Sequence, residues 1–333
     1  MSRETGMTYA YTMLAALAAY ATSSCAQQTR PGSYPDKPVR LIVGTAPSGG
    51  LDVTARIVAH KLGERWSSSI VVENRGGASG GIAMELVAYA NPDGYTMLIA
   101  GTQTMVATPL RRVSFDVRKV YAPIVRMTSS PYVLVISPAL PVATVKELIA
   151  YAKGKPGVLN YGSSGNGTLG HLAAELFKSL TGTDMVHVPY KGAVPSIIAL
   201  LGGQIHVLFS SAISAMPNMK SGRLKALGVT SSQRMQALPD LQTIAEAGMP
   251  GFDVNNWYGL LAPAGTPAHL LLAINREVGQ IMMLPDVKEK LAADGGEAVA
   301  PNTPPEFRNY MVAEVSKWEK FFRSPGMSVE MFR

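Results

Sequence analysis

The sequence predicts an α/β fold with mostly parallel sheets, and three observations carry that expectation. Short β-branched apolar runs alternate with stretches whose apolar residues recur at helical spacing, the rhythm of consecutive βαβ units. Several of those runs pass at once into loops built from Gly, Ser and Asn. The composition, 47% hydrophobic and 16% charged, has the apolar content of a packed core and excludes disorder. At roughly 150 residues per domain, 333 residues allow about two domains.

The chain opens on a targeting segment. MLAALAAYA, residues 13–21, is long enough for the apolar region of a signal peptide and too short to span a bilayer. Ser24-x-Ala26 fits the small-x-small pattern for cleavage after Ala26, so residues 1–26 are expected to be removed on export. Cys25 is the only cysteine; lipidation there is disfavoured because Thr22 stands where an aliphatic residue is expected. The mature chain would then hold no thiol, which excludes thiol catalysis.

VRLIVG (39–44) reads as a buried strand, 51–65 as an amphipathic helix and IVVEN (70–74) as the next strand. A helix over about 81–90 stops at Asn91-Pro92-Asp93-Gly94, and YTMLIAG resumes the strands. Further strands are predicted at 131–137, 158–162, 185–190, 205–210 and 224–230, with helices from Val145, from about Thr168 and over 196–201. After Gly251 the character changes to one strand, GFDVNNWYGLLAP, and helices near 267–282 and 304–323. Ser129-Ser130-Pro131 and Pro250-Gly251 are candidate crossings between domains.

The net charge is +7, yet no run of Lys or Arg exceeds Arg111-Arg112. A nucleic-acid stripe is therefore the weakest explanation of the basicity, and a small anion is favoured. Three strand–loop–helix junctions agree: Thr45–Asp52 after LIVG, Asn74–Gly81 after IVVE, and Gly162–Thr168 after VLNY. Each offers backbone N–H groups at a helix N-terminus, where they lack intrahelical acceptors and the dipole is positive. In open α/β sheets ligands settle at the carboxyl ends of strands, where these loops lie.

Two loops also match enzyme motifs. Gly165-Asn166-Gly167-Thr168-Leu169-Gly170 satisfies G-x-G-x-x-G, but a dinucleotide site wants an acid ending the next strand, which here ends Pro189-Tyr190-Lys191. Gly77-Ala78-Ser79-Gly80-Gly81 satisfies G-x-S-x-G, with Asp253 and His269 in the right order for an exported serine hydrolase. His187 and His206, inside apolar strands, read as satisfied core residues. No His, Asp or Glu cluster has metal-ligand spacing, so neither metal nor cofactor is expected.

The stretches YPDKPVRLIVGTAPSGGLDVTAR, VVENRGGASGGIA, NPDGYT, LNYGSSGNGTLGHLAAELF, VPYKGAVPSIIALLGGQI, LKALGVTSS and WYGLLAPAGTP run in order from Tyr34 toward the C-terminus. In them the chain resembles the extracytoplasmic solute receptors of the tripartite tricarboxylate transporter type, the Bug proteins. The resemblance implies a type II periplasmic-binding-protein fold: two mixed, mostly parallel sheets flanked by helices, with a ligand cleft between two lobes. Lobe 1 would comprise 34–128 plus 252–333, and lobe 2 residues 129–251. It further implies a monomeric periplasmic receptor, not an enzyme, that takes a di- or tricarboxylic or aromatic acid and hands it to membrane subunits or to a sensor protein.

Carried over by position, lobe 1 would offer Pro47, Ser48, Gly49, Gly50 and Asp52, with Asn74, Ala78 and Gly80. Asp52 is expected to cap its helix and brace the loop. Lobe 2 would offer Ser163, Ser164, Gly165, Thr168 and His171, with Tyr190, Lys191 and Ser210. Ser210 follows Phe209 where the family often has Asp; without that carboxylate no partner for a ligand ammonium remains, so a purely anionic ligand is expected.

Overall fold

The computed structural model describes residues 34–47, 49–107, 109–110, 113–293, 295–324, 327 and 332. The predicted signal peptide with Cys25 and Ala26, together with Ser48 and the side chain of Ser79, lies outside the described residues. The chain divides into two units, 1–36 and 37–333, and every named element belongs to the second.

The first strands and helices alternate as their periodicity requires. β1 (Val39–Val43) leads to α1 (Gly50–Trp66), β2 (Ile70–Asn74), a 3-10 turn (Ala78–Gly80), α2 (Gly81–Ala88) and β3 (Thr96–Gly101). Two short helices, α3 (Thr102–Ala107) and α4 (Val117–Val120), then precede the 16-residue β4 (Tyr121–Ile136). The alternation resumes with α5 (Val145–Gly154), β5 (Asn160–Ser163), α6 (Leu169–Thr181), β6 (Val186–Pro189), α7 (Ala193–Leu201), β7 (Val207–Ser211), α8 (Ala212–Lys220) and β8 (Lys225–Val229). β9 (Asn255–Pro263), α9 (Ala268–Met282), α10 (Pro285–Ala293), β10 (Glu297–Ala298) and α11 (Pro304–Phe322) complete the described chain. No described helix is long and apolar enough to cross a membrane.

The strand order is β2-β1-β3-β9-β4-β7-β5-β6, with β8 and β10 also pairing with β4. β1 is parallel to β2 and β3, while β9 runs antiparallel between β3 and β4. β5 is likewise parallel to β6 and β7, while β4 runs antiparallel to β7 and β8. The two halves therefore share one plan, β2-β1-β3-β9-β4 and β6-β5-β7-β4-β8. In each, a strand from elsewhere in the chain is inserted antiparallel beside three parallel ones. Parallel pairing between the named strands is confined to those outer strands, because βαβ crossovers build them, whereas the inserted strands need no crossover helix.

β4 belongs to both halves. Tyr121–Pro131 pairs with β9, and Tyr132–Ile136 pairs with β7 and β8. The sequence predicted a strand only from Pro131, since Pro123 and the polar Ser129-Ser130 mark a breaker and a loop. In the fold the register shifts near Pro123 and the strand runs straight through the candidate crossing.

α11 ties the halves together. Pro304 stands in its first turn, and Thr303 and Glu306 form a capping box, so its start is locally specified. Phe307, Met311 and Val315 then pack with Ile42, Leu98 and Trp257 of the first half. Trp318, Phe321 and Phe322 pack instead with Leu134, Phe177, Phe209 and Phe252 of the second. One apolar face at helical spacing thus enters two cores.

Candidate ligand site

The loops that follow β1 and β2 form one braced block. Asn74 donates from its side-chain amide to Thr45 O at 3.1 Å and to Asp52 Oδ1 at 2.9 Å, so both its protons are spent. Arg56 donates to Asp52 Oδ2 at 2.9 Å and to Asn74 Oδ1 at 3.1 Å, and the Arg75 N–H donates to Val43 O at 2.8 Å. Asp52 is buried; it braces as expected, while the cap position of α1 is Gly49, which makes no side-chain cap bond. Pro47, Gly49 and Ala78 are exposed, Gly50 is half-buried, and Gly80 is buried against Gly44.

The third loop is held differently. Gly165 and Gly167 adopt φ of 136° and 68°, a region that favours glycine. Thr168, the N-cap of α6, donates its hydroxyl to Gly165 O at 2.8 Å. A Cβ on Gly170 would lie 2.6 Å from Phe209 O, so only glycine lets this helix start sit on β7. Tyr190 N–H donates to Ser163 O and Gly192 N–H to Ser164 O, which pins the half-buried Tyr190 beside the loop and leaves Lys191 exposed.

Four predicted contacts, Ser163, His171, Ser210 and Asp52, are buried and hydrogen-bonded within the protein. Ser163 is 0% exposed and His171 1%: the serine hydroxyl bonds Gly165 and His187, and His171 Nδ1 accepts from Gly167 N–H at 3.1 Å. Ser210 is buried within β7 and donates to Ser211 O, and Asp52 is occupied as above. Polar groups at a packed strand–helix junction are drawn into bracing because burial requires them to be hydrogen-bonded.

A cavity of about 140 Å³ opens at the start of α6. Gly167, Thr168, Leu169 and Leu172 line one side; Thr102, Gln103, Val106 and Asn256 line the other. Thr168 alone comes from the predicted contacts. Thr102, Gln103 and Asn256 were missed, because β3 passes into α3 without any Gly-rich loop. Topology explains their place: β3 is the parallel strand next to β9, and the loops after β1 and β2 stand farther out.

No charged side chain lines this cavity. Thr102 spends its hydroxyl on Asn255 O, but Gln103 makes no side-chain hydrogen bond among the described residues. Asn256 donates to Tyr258 Oη at 3.0 Å and keeps a second amide proton. The first N–H groups of α6 have no intrahelical acceptor. The arrangement can hold a small anion by neutral donors at a positive helix end.

Two of the larger cavities are poorer candidates. One of about 690 Å³ contains Arg126 and Arg234 but also Asp253, Glu297 and Glu306, so it has no net attraction for an anion. The other, about 550 Å³ beside α8 and α10, is mostly apolar and lies off the strand-end loops. Asp253 accepts from Ser232 N–H and His269 is exposed on α9, and no hydrogen bond joins them among the described residues. Nor does any metal-binding group of three occur among those residues.

Residues 54–327 match the family described as Tripartite tricarboxylate transporter family receptor. A UPF0065 protein from the tcbD–tcbE intergenic region of Pseudomonas sp. strain P51 is 34% identical over 310 residues, 92% of each chain. BugT of Bordetella pertussis is 31% identical over 313 residues, 93% of this chain and 96% of BugT. An R. palustris protein solved with adipate matches with a TM-score of 0.70 and 34% identity, covering 87% of this chain and 97% of that one. MatC from Rhodopseudomonas palustris, with bound malate, matches at 0.68 and 29%, over 86% and 99%. A TctC solute binding protein from Polaromonas matches at 0.80 and 27%, over 87% and 99%. The two-halved sheet is the type II periplasmic-binding-protein fold of these relatives.

Proposed function

The chain belongs to the tripartite tricarboxylate transporter receptor family, and from that premise we propose that it captures a small, purely anionic carboxylate at the start of α6. The loaded protein presents it to the membrane subunits of a tripartite transporter. The family's members are periplasmic solute receptors rather than enzymes, so the hydrolase reading through Ser79 lapses. The observation that carries the proposal is the uncharged cavity between the N-terminus of α6 and the amides of Gln103 and Asn256. Ligand pockets usually measure about 300–1,000 Å³; at about 140 Å³ this one suits a ligand of few atoms. Adipate and malate in the R. palustris structures are of that class.

No carboxylate lines the cavity, which favours a diacid over an acidic amino acid. A helix N-terminus contributes about 0.3–1 kcal/mol to a bound anion, up to ~2 when partly buried. Micromolar binding needs about −8 kcal/mol. Charge-assisted hydrogen bonds and exclusion of water between the lobes supply the remainder. In this reading the cleft lies between lobes 34–128 plus 252–333 and 129–251, with Ser164, Gly165 and Tyr190 framing its second wall. Pro47, Gly49, Gly50, Ala78 and Lys191 stand at its rim, and cleavage after Ala26 releases the receptor into the periplasm.

The test is calorimetry with malate, adipate, aspartate and glutamate, alongside a thermal-shift screen of organic acids. A diacid at 100 times its Kd should add about 2.7 kcal/mol to stability. The reading fails if no organic acid shifts the transition, or if aspartate or glutamate binds most tightly.

A further inference from the structure

Behind the third loop lies a buried cluster that ligand capture leaves without a role. Tyr161 of β5, His187 of β6 and His171 of α6 stack together, the two imidazoles 3.9 Å apart and 13° from parallel. Phe332 closes on His171 at 4.7 Å. The Tyr161 hydroxyl donates to Glu175 Oε1 at 2.5 Å, and Lys178 donates to the same oxygen at 2.7 Å. The titratable groups facing the histidines are therefore Tyr161 from β5 and Glu175 and Lys178 from α6.

Counting protons assigns the tautomers. A serine hydroxyl has one proton and two lone pairs. Ser163 Oγ donates to Gly165 O at 3.0 Å and accepts Gly165 N–H at 3.2 Å. Its third partner, His187 Nε2 at 2.7 Å, must then be a donor. His171 Nδ1 accepts Gly167 N–H at 3.1 Å, so that ring carries its proton on Nε2. Protonating His171 would fill the lone pair that Gly167 uses and would set a cation against His187. Both ends of the loop are thus tied, directly or through Ser163, to a neutral imidazole.

We infer that His171 and His187 are positioning residues that hold Gly165–Thr168 in the shape in which the start of α6 meets its ligand. What the loop meets rests on the carboxylate reading; how the loop is held does not. The neutral state is built in, since burial, followed by the proximity of His187, pushes His171 down to about 3. Burial likewise pushes His187 down, opposed by the charge of Glu175.

The experiment compares His171→Leu with His171→Asn, which returns an acceptor close to the position of Nδ1. Amide hydrogen exchange of Gly167 is read in the ligand-free protein, and malate and adipate affinities are read separately. Losing the acceptor should speed Gly167 exchange and weaken binding about tenfold each, the worth of one hydrogen bond. The asparagine variant should recover both, and exchange at Ala174–Phe177 should not move. Equal Gly167 exchange in the two variants, or equal loss of affinity, overturns the inference. If the leucine variant does not fold, His187→Leu against His187→Gln, read at the Gly165 amide, decides in the same way. If the native protein binds neither acid while the Gly167 pattern holds, the carboxylate reading falls and the positioning role stands.

Discussion

Around the ends of β1 and β2, charged side chains and one carboxamide hold the loops: Asp52, Arg56 and Asn74 bond in a ring, with Glu73 between Arg40 and Arg75 beside it. Behind the end of β5 the same task falls to a serine hydroxyl and two neutral imidazoles. The first block sits on outer strands, with the Arg56 and Arg75 side chains 53% and 51% exposed, where solvent screens its charges. The second adjoins the cavity, where a fixed charge would compete with an anion or capture it too tightly to release. Neutral bracing leaves the partial charge of the α6 N-terminus with no fixed side-chain charge lining the cavity beside it.

Gly170→Ala strikes that comparison hardest. The new Cβ would meet the backbone oxygen of Phe209, which no side-chain rotation relieves. Overpacking of this kind costs about 3 kcal/mol, read from urea unfolding. A cost below about 0.5 kcal/mol would mean that α6 does not rest on β7 as tightly as described.

Acidification separates the blocks next. The folded protein holds His171 near 3, mainly by burial, against about 6.5 when unfolded. The unfolded chain accepts a proton that the folded chain refuses. This stabilisation is therefore whole above about pH 6.5 and is lost as the pH falls toward 3. Between pH 7 and pH 5 it should shrink by about 2 kcal/mol. Glu73 changes in the same direction but at lower pH: hydrogen bonding from Arg40 lowers it to about 2, so its contribution is whole above its ordinary 4.5 and is lost only as the pH falls below that toward 2. Urea midpoints at pH 7 and 5 should thus converge in His171→Asn relative to the native protein, and parallel losses would contradict the assignment.

Asp52→Ala sharpens the comparison with the smallest effect. It removes the buried acceptor of Asn74 and should cost about 1.5 kcal/mol in urea unfolding, within the range for a charge-assisted hydrogen bond. Malate and adipate affinity should change less than in His171→Leu, because no described residue of this block lines the cavity. A larger loss of affinity would move the first-lobe contacts back to the loops after β1 and β2.

Legibility followed the range of the forces. β1, α1, β2, β3, α5, α6, α9 and α11 were readable because apolar spacing, Asn-Pro-Asp-Gly and Thr-Pro-Pro-Glu are local signals. The first ten residues of β4 were hidden by Pro123, Arg126 and Ser129-Ser130, which are tolerated only because β9 lies alongside. α8 was hidden by Pro217, and α3 by its abrupt start after Gly101. In the site, the Gly-Ser-Asn composition marked the third loop correctly as a helix start rich in donors. That same composition could not tell a residue that faces a ligand from one that braces the loop.

Composition and periodicity determined the α/β class and the βαβ rhythm, and the resemblance of long stretches to known receptors pointed to the family. These depend on near neighbours in the chain, whose conformations local sterics and apolar spacing already restrict. Which loop reaches the cavity, that Gln103 and Asn256 face α6, and that His171 turns inward were settled by packing. Each needs residues separated by many positions to meet, and only closure of β4 and β9 across both halves brings them together.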